Sequence, residues 1–505
     1  MFQVHLNFFL TIGTCCKRIL LIAWLLGGIT QPLHSQVVDS LGLANLTDAL
    51  LELQNSELMQ NGTLSFSLTS CQTDRPLLIL NQKQSLPSAS ILKLVSTATV
   101  LSVFGGDYTY KTFLEYDGQK SGDTLKGNLY IRGTGDPSLG SDRFKDFASY
   151  QQLLSRWSTA LAQTGIKHVQ GQVIADASFF DEQSLADTWI WADLGNYYGA
   201  GVQGLNFNEN KYTMLFRTGS DVGQPSEVLR TEPALPFLHW TNRVTSGPTG
   251  SGDRVYMYAS PLSKEVLLTG TVPRNSAAFS VRGAIPNPSF AVAYLLTQEL
   301  TQKGITISGE PSTIQNNPQN SPRTVLDTHT SPTLRELCQQ TNWWSINLYA
   351  DSFLKLIGRK LTDEPDFSSS VQAVIDYWQQ RGVSMNGFFI KDGSGLSPTG
   401  SLTTQNLTGI LNAATRDKTF PDFYSSIAIL GETGTVRNMG KGTRAAGNVR
   451  AKSGSIEGTR AYAGYVVTKE GERLSFAIIA HKYTPNNSRA IGIELARLLI
   501  LLGDL

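Results

Sequence analysis

Three short patterns follow one another along the 505 residues: Ser90-Ile91-Leu92-Lys93 (S-x-x-K), Ser345-Ile346-Asn347 (S-x-N) and Lys452-Ser453-Gly454 (K-S-G). A serine and a lysine three residues apart share one face of a helix, so the amine reaches the hydroxyl. At a helix start the hydroxyl also gains from the positive end of the dipole. A lysine desolvated among cationic or polar groups can lose its proton near neutral pH and act as base to a nucleophilic serine. Ser345 and Asn347 would relay the proton and hold the lysine and a substrate amide. Lys452 and Ser453, on an edge strand, would bind a terminal carboxylate of the substrate. Gly454 would leave room for the substrate to lie alongside as an added strand. The implied chemistry is hydrolysis through a covalent serine intermediate.

Patterns this short recur, and the chain carries decoys: Ser352-Phe353-Leu354-Lys355, Ser384-Met385-Asn386 and Lys120-Ser121-Gly122. Context separates them. Ser352, Lys355 and Arg359 share one stripe of a helix whose other stripe is Ile346, Tyr349, Phe353 and Leu356, which predicts a solvated polar face. Lys120 to Gly122 lie in a hairpin turn, DGQKSGD, and Ser384 follows Gly382 in a loop. Ser90, by contrast, opens a buried helix, and Lys452 lies in an alternating strand. No H-E-x-x-H, C-x-x-C or G-x-x-x-x-G-K-[ST] occurs, so zinc and nucleotide chemistry lack support. The histidines at 168, 239, 329 and 481 leave a Ser–His–Asp triad open, but no G-x-S-x-G elbow accompanies them.

Several elements must position these residues. Residues 64–72 and 77–82 read as strands around the turn Thr73 to Pro76. Ile91, Leu94, Ala98 and Leu101 then mark a mostly buried helix. Beyond Gly105 and Gly106 comes a long stretch rich in Gly, Tyr and β-branched residues, with strands at GNLYIRGTGDP and QGQVIADASFF and helix over Phe147 to Thr164. Helical spacing returns at Phe290 to Lys303 and again at Ser331, an N-cap with Pro332 at the first helical position. Asn448 to Val467 and Arg473 to Ala480 alternate as strands around the turn Lys469 to Glu472. The last helix, Arg489 to Leu502, reads as a packed core helix and not a membrane-surface one, because Gly492 and Glu494 interrupt its apolar run. Two strands do not make a stable sheet, so the C-terminal strands must join the N-terminal pair. The fold class is α/β: one discontinuous domain from 36–109 and 287–505, with 110–286 inserted as two small β-rich domains.

With 41% hydrophobic and 16% charged residues the chain can bury a large core, which excludes wholesale disorder and collagen-like structure. Its 42 basic and 41 acidic residues give a formal charge of +1, arguing against a nucleic-acid partner. Lys17 and Arg18 before the apolar run Ile19 to Gly28, then Ser35, describe a secretory leader over 1–35. The run falls short of the ~20 residues of a membrane span, so an exported chain without a stable span is expected. Cys71 and Cys338 are expected as free buried thiols, with a bridge as the alternative. Trp189, Trp191, Tyr197 and Tyr198 read as core of the inserted region, with glycan binding as the alternative.

On these residues the sequence resembles the class C low-molecular-mass penicillin-binding proteins, the D-alanyl-D-alanine carboxypeptidase/endopeptidases. The likeness extends beyond the three motifs. Asp392 to Ser397 (DGSGLS) is similar to an element of that family, and GNLYIRGTGDPSL, Asp176 to Phe180 (DASFF), WIWADLGNYYGA and LNFNEN are similar to segments of its extra domains. Ser453 stands where threonine is commoner and preserves the hydroxyl.

The resemblance implies a penicillin-recognising, transpeptidase/β-lactamase-like domain, a five-stranded antiparallel sheet flanked by helices. Ser90 would attack the D-Ala-D-Ala bond of peptidoglycan stem peptides and release the terminal D-Ala, with cleavage of cross-links as a second activity. The backbone N–H groups of Ser90 and Ser455 would form the oxyanion hole, and water would resolve the acyl-enzyme without metal or organic cofactor. β-Lactams would acylate Ser90 and leave slowly, and the site of action would be the periplasm, with loose association with the membrane as the alternative to a free protein. Asp176 would approach the side-chain amine of the stem and Arg437 would border the cleft, ordinary surface contacts being the alternative for both. Two readings compete: a β-lactamase or esterase on the same scaffold, and a non-catalytic penicillin sensor. The complete set of Ser90, Lys93, Asn347 and Lys452 argues against the sensor.

Overall fold

Alternation in Leu64-Ser65-Phe66-Ser67-Leu68-Thr69 sends apolar side chains to one face of a strand and hydroxyls to the other. That strand belongs to a five-stranded sheet in the computed structural model, which describes residues 39–314 and 322–505; the expected leader lies outside the described residues. The strands are β1 (Thr63–Ser70), β2 (Pro76–Leu80), β3 (Arg450–Ile456), β4 (Thr459–Val467) and β5 (Arg473–His481). Their order is β2-β1-β5-β4-β3, antiparallel throughout, so both ends of the chain build one sheet and β3 is an edge. The helices around the site and sheet are α1 (Ser40–Gln54), α2 (Lys93–Phe104), α3 (Leu334–Trp344), α4 (Asn347–Thr362), α5 (Phe367–Gln379), α6 (Thr404–Ala414) and α7 (Ser488–Leu502).

The two faces of β1 meet different chemistry. Phe66 and Leu68 pack with Leu46 and Leu50 of α1 and with Leu495 and Leu499 of α7, so the apolar C-terminal run is core, as its interruptions predicted. On the other face Ser65 and Ser67 sit 2.9 and 3.1 Å from the hydroxyls of Thr404 and Thr408 on α6. Behind that layer α2 is enclosed by α3, α4 and α5 in a second core, and its residues from Lys93 to Leu101 are buried on every side.

Between Tyr110 and Ser331 the chain builds two further cores. In the first, a sheet runs Ser312–Ile314, Val173–Asp176, Leu129–Arg132, Lys111–Tyr116, Thr324–Thr330. Trp157 and Leu161 of the helix Tyr150–Gln163 and Leu296 and Leu300 of the helix Pro288–Gln302 cover it. The insertion therefore extends past residue 286 to Thr330, because the apolar stripe of Pro288–Gln302 is matched by this sheet. The layer is also α/β and not simply β-rich: Leu129–Arg132 and Val173–Asp176 are parallel and the helix Tyr150–Gln163 crosses between them. The second core is all β, with Tyr212, Met214, Val255, Met257, Leu268 and Val281 inside it.

Other expectations are corrected. Helix α3 begins two residues late: Thr333 is its N-cap, and the Glu336 carboxylate accepts from the Thr333 backbone N–H at 2.8 Å. Ser331 instead accepts from the Tyr110 N–H. The stripe of Ser352 and Lys355 is not solvated, because the insertion covers it. Ser352 donates to the Gly135 carbonyl at 2.7 Å, and the fully buried Lys355 pairs with Asp181 and donates to the Gln183 carbonyl. Cys71 and Cys338 are free thiols, but only Cys338 is fully buried.

Lys355→Ala should lower the unfolding free energy by about 3 kcal/mol in urea denaturation, since it strips a buried amine from Asp181 and leaves a void. A loss below ~1 kcal/mol, typical of a surface change, would contradict the buried pairing.

Candidate active site

The turn Ala89–Leu92 is a 3-10 turn that runs directly into α2, and it carries Ser90. Ala89 has a left-handed φ of 45°, a conformation that costs a non-glycine residue energy and survives only where its surroundings enforce it. Two glycines show what enforces it. A Cβ on Gly395 would lie 1.9 Å from the Ala89 carbonyl oxygen, and one on Gly454 would lie 3.0 Å from the Ser90 nitrogen. The loop 392–397 and the edge strand β3 thus press on the serine turn from two sides, which is a more direct need for Gly454 than room for a substrate.

Lys93, one turn into the helix, is fully buried. Its amine donates to Ser90 Oγ at 2.9 Å, to Asn347 Oδ1 at 2.6 Å and to the Ser394 carbonyl at 2.6 Å. Ser345 caps α3 at a left-handed φ of 60°, turning its side chain back towards β3. Lys452 on β3 donates to Ser345 Oγ at 3.0 Å and to the Ser453 carbonyl at 2.6 Å. Ser453 Oγ in turn lies 2.7 Å from Thr435 Oγ1. Ser90, Lys93, Ser345, Asn347, Lys452, Ser453, Gly454 and Ser455 therefore converge, and the decoy serines and lysines stay outside.

Two lysines and two aspartates share this interior. Burial pushes the Lys93 amine down to about 8, against the upward pull of the Asp351 and Asp392 carboxylates. Lys452 is lowered well below its usual value by burial and then by the charge of Lys93. Asp351 is pushed up to about 8 by burial and by the neighbouring Asp392. Such a lysine can exchange a proton near neutrality. The Asp351 carboxylate accepts from the Gly393 N–H at 2.8 Å, while Asp392 accepts from Gly395, Ser397 and the indole of Trp189 at 2.7, 2.8 and 2.7 Å. These bonds hold the loop so that the Ser394 carbonyl faces Lys93. Asp351 follows Asn347 by one helical turn, a spacing that could have revealed it. The Ser394 contact is a backbone one, which side-chain identity cannot reveal.

Ser90, Ser345, Asn347 and Ser455 open into a cleft of ≈ 1080 Å³ whose far wall comes from the insertion. That wall holds Asp193, Tyr197, Tyr198, Tyr256, Tyr258 and Arg282. Asn347 also donates to the Tyr198 carbonyl at 2.7 Å, tying the wall to the catalytic group. Asp176 does not reach the cleft: it is buried in the insertion, where its carboxylate accepts from Arg323 at 2.7 Å and from Ser178. Arg437 is exposed beside the cleft, donating to the Gly434 carbonyl and stacking 5.5 Å from the centre of the Trp344 ring. The aromatic set divides as well. Trp189 is buried as expected, whereas Trp191 is 60% and Tyr197 44% exposed, so they are not core.

The family described as D-Ala-D-Ala carboxypeptidase 3 (S13) matches residues 46–500. A D-alanyl-D-alanine carboxypeptidase of Actinomadura sp. (strain R39) is 26% identical over 407 residues, 79% of this chain and 73% of that one. The crystal structure of penicillin binding protein 4 (dacB) from Haemophilus influenzae has the same fold, with a TM-score of 0.76 at 21% identity over 90% of this chain and 98% of that one. The same Haemophilus protein complexed with a β-lactam superposes with a TM-score of 0.72 at 20% identity, over 91% and 98% of the two chains.

Asp351→Asn keeps an oxygen for the Gly393 N–H but removes a charge that raises the proton affinity of Lys93. The pH midpoint for acylation of Ser90 by an activated thioester should therefore fall below that of the wild type. A slower reaction with an unmoved midpoint would assign Asp351 a merely structural part.

Proposed function

The chain belongs to the D-Ala-D-Ala carboxypeptidase 3 (S13) family of serine peptidases, and we propose that it removes the terminal D-alanine from peptidoglycan stem peptides through an acyl-enzyme on Ser90. The observation that carries this is the 2.9 Å contact between Ser90 Oγ and a buried amine whose remaining acceptors are Asn347 and the Ser394 carbonyl. Neutral Lys93 takes the Ser90 proton as Oγ attacks the carbonyl carbon of the penultimate D-Ala. The oxygen that becomes negative lies against the N–H groups of Ser90 and Ser455, a pair in general worth ~3–4 kcal/mol per donor. Ser345 Oγ hands a proton to the departing nitrogen and is resupplied by Lys452 at 3.0 Å. Lys93 then releases the Ser90 proton to solvent and Lys452 regains one; neutral Lys93 takes a proton from the attacking water and returns it to Ser90 Oγ as the ester breaks. The same bond-breaking opens a cross-link when the amine side belongs to a second stem.

The terminal carboxylate binds the hydroxyls of Ser453 and Thr435 in front of Lys452. It supplies the counter-charge that this lysine lacks, so substrate binding raises the proton affinity of Lys452. Asp193, and not the buried Asp176, meets the amine of the stem side chain. Of the acidic residues lining the cleft, Glu209 is already held by Arg143 at 2.8 Å and Lys211 at 2.7 Å, and Glu457 is exposed. Asp193 has only the Tyr198 hydroxyl, at 3.1 Å, as a side-chain partner among the described residues, and burial raises it. Arg437 keeps Trp344 in place at the cleft margin. We infer an exported, periplasmic protein from this substrate; no described helix is long and apolar enough to cross a membrane.

Fluorescent penicillin should label the wild type in a long-lived adduct that mass spectrometry places on Ser90, and Ser90→Ala should give none. The acylation rate should climb with pH through a midpoint of about 8, because Lys93 must be neutral to act as base. An adduct on Ser352 would overturn the assignment. Rapid penicillin turnover without accumulation would make the protein a β-lactamase instead.

A further inference from the structure

The cleft of ≈ 1080 Å³ exceeds what the end of a peptide fills and reaches the upper limit of ~300–1,000 Å³ common for whole small-molecule ligands. Its far end is aromatic and uncovered. Trp191 is 60%, Tyr256 48% and Tyr197 44% exposed. Tyr197, Tyr256 and Tyr258 line the cleft and Trp191 packs on Tyr258 beside it; scattered surface aromatics need no explanation, but a contiguous set at a catalytic cleft marks a contact surface.

The shelf is built rather than incidental. In the strand Arg254–Tyr258, Val255 and Met257 point into the second inserted core, so Tyr256 and Tyr258 share the opposite face. The short helix Trp191–Leu194 and the turn after it lie directly against this strand. A Cβ on Gly195 would come within 2.0 Å of the Met257 carbonyl oxygen, so only glycine permits the approach. The Gly195 carbonyl accepts from Ala284, and Asn196 bridges to Gly283. The rings are thereby set together: Trp191 lies 4.7 Å from Tyr258, Tyr256 lies 6.5 Å from Tyr258 at a 31° tilt, and Arg282 stacks 4.3 Å over Tyr197.

Resting on the peptidase reading above, we propose that this shelf binds the saccharide ring to which the stem peptide is joined. A pyranose presents apolar C–H faces and hydroxyl-bearing edges. Flat rings interspersed with tyrosine hydroxyls and the Arg282 guanidinium match both, whereas an acyl chain would find the polar groups costly. The shelf shares one cleft with Ser90, so a substrate running from the scissile bond through its stem ends in its sugar there.

The test compares kcat/KM for a soluble disaccharide-pentapeptide with that for the same pentapeptide bearing no sugar, in the wild type and in Trp191→Ala/Tyr256→Ala. The wild type should favour the glycosylated substrate about ten-fold, the effect of one or two ring contacts. The double variant should lose that preference through KM while turning over the bare pentapeptide as before. Equal use of both substrates by the wild type would overturn the proposal, as would a variant that keeps the preference or slows both substrates alike. Failure of the peptidase reading looks different, as neither substrate would then release D-alanine.

Discussion

A charged amine removed from water is among the most expensive objects a fold can contain, and Lys93 is completely enclosed. It is tolerable because three acceptors from three distant stretches of chain surround it: the Ser90 hydroxyl, the Asn347 amide oxygen and the Ser394 carbonyl. Each acceptor is itself fixed. Ser90 sits in a turn pinned by Gly395 and Gly454, Asn347 is anchored to the Tyr198 carbonyl, and the Ser394 loop is gripped by Asp351 and Asp392. Reactivity follows from the same cost, since burial brings the lysine's proton affinity into the working range.

The insertion belongs to this arrangement and is not an appendage. The Trp189 indole donates to Asp392, and Thr188 lies 2.6 Å from Ser397, so one strap of the insertion clamps the loop that faces Lys93. Lys355 and Ser352 attach the insertion to α4 from the other side. The base and the outer wall of the cleft are therefore tied together by direct hydrogen bonds.

Much of this was legible in residue types and order. The three motifs, the buried helix behind Ser90 and the sheet shared by both chain ends all follow from spacing and strand alternation. What escaped depends on which surfaces meet. A stripe carrying Ser352 and Lys355 looks solvated until a neighbouring domain covers it. Asp176 and Asp193 are equally plausible acids in one dimension; the fold separates them, burying Asp176 against Arg323 and placing Asp193 on the cleft wall. The end of the insertion is not legible in the sequence, because the helix Pro288–Gln302 has an apolar stripe that would suit either domain.

The sheet also sets a timetable. β1 pairs along its length with β5, and Ser70 bonds Glu472 across 402 positions of sequence. At ~5–20 residues per second of synthesis, a gap of 402 residues amounts to roughly 20–80 s before the partner strand exists. For that interval Leu64, Phe66 and Leu68 form an apolar strand with an open edge, the kind of segment that aggregates. Folding of the catalytic half must wait for the last tenth of the chain, and any chaperone serving this protein has to shield its beginning until its end has emerged.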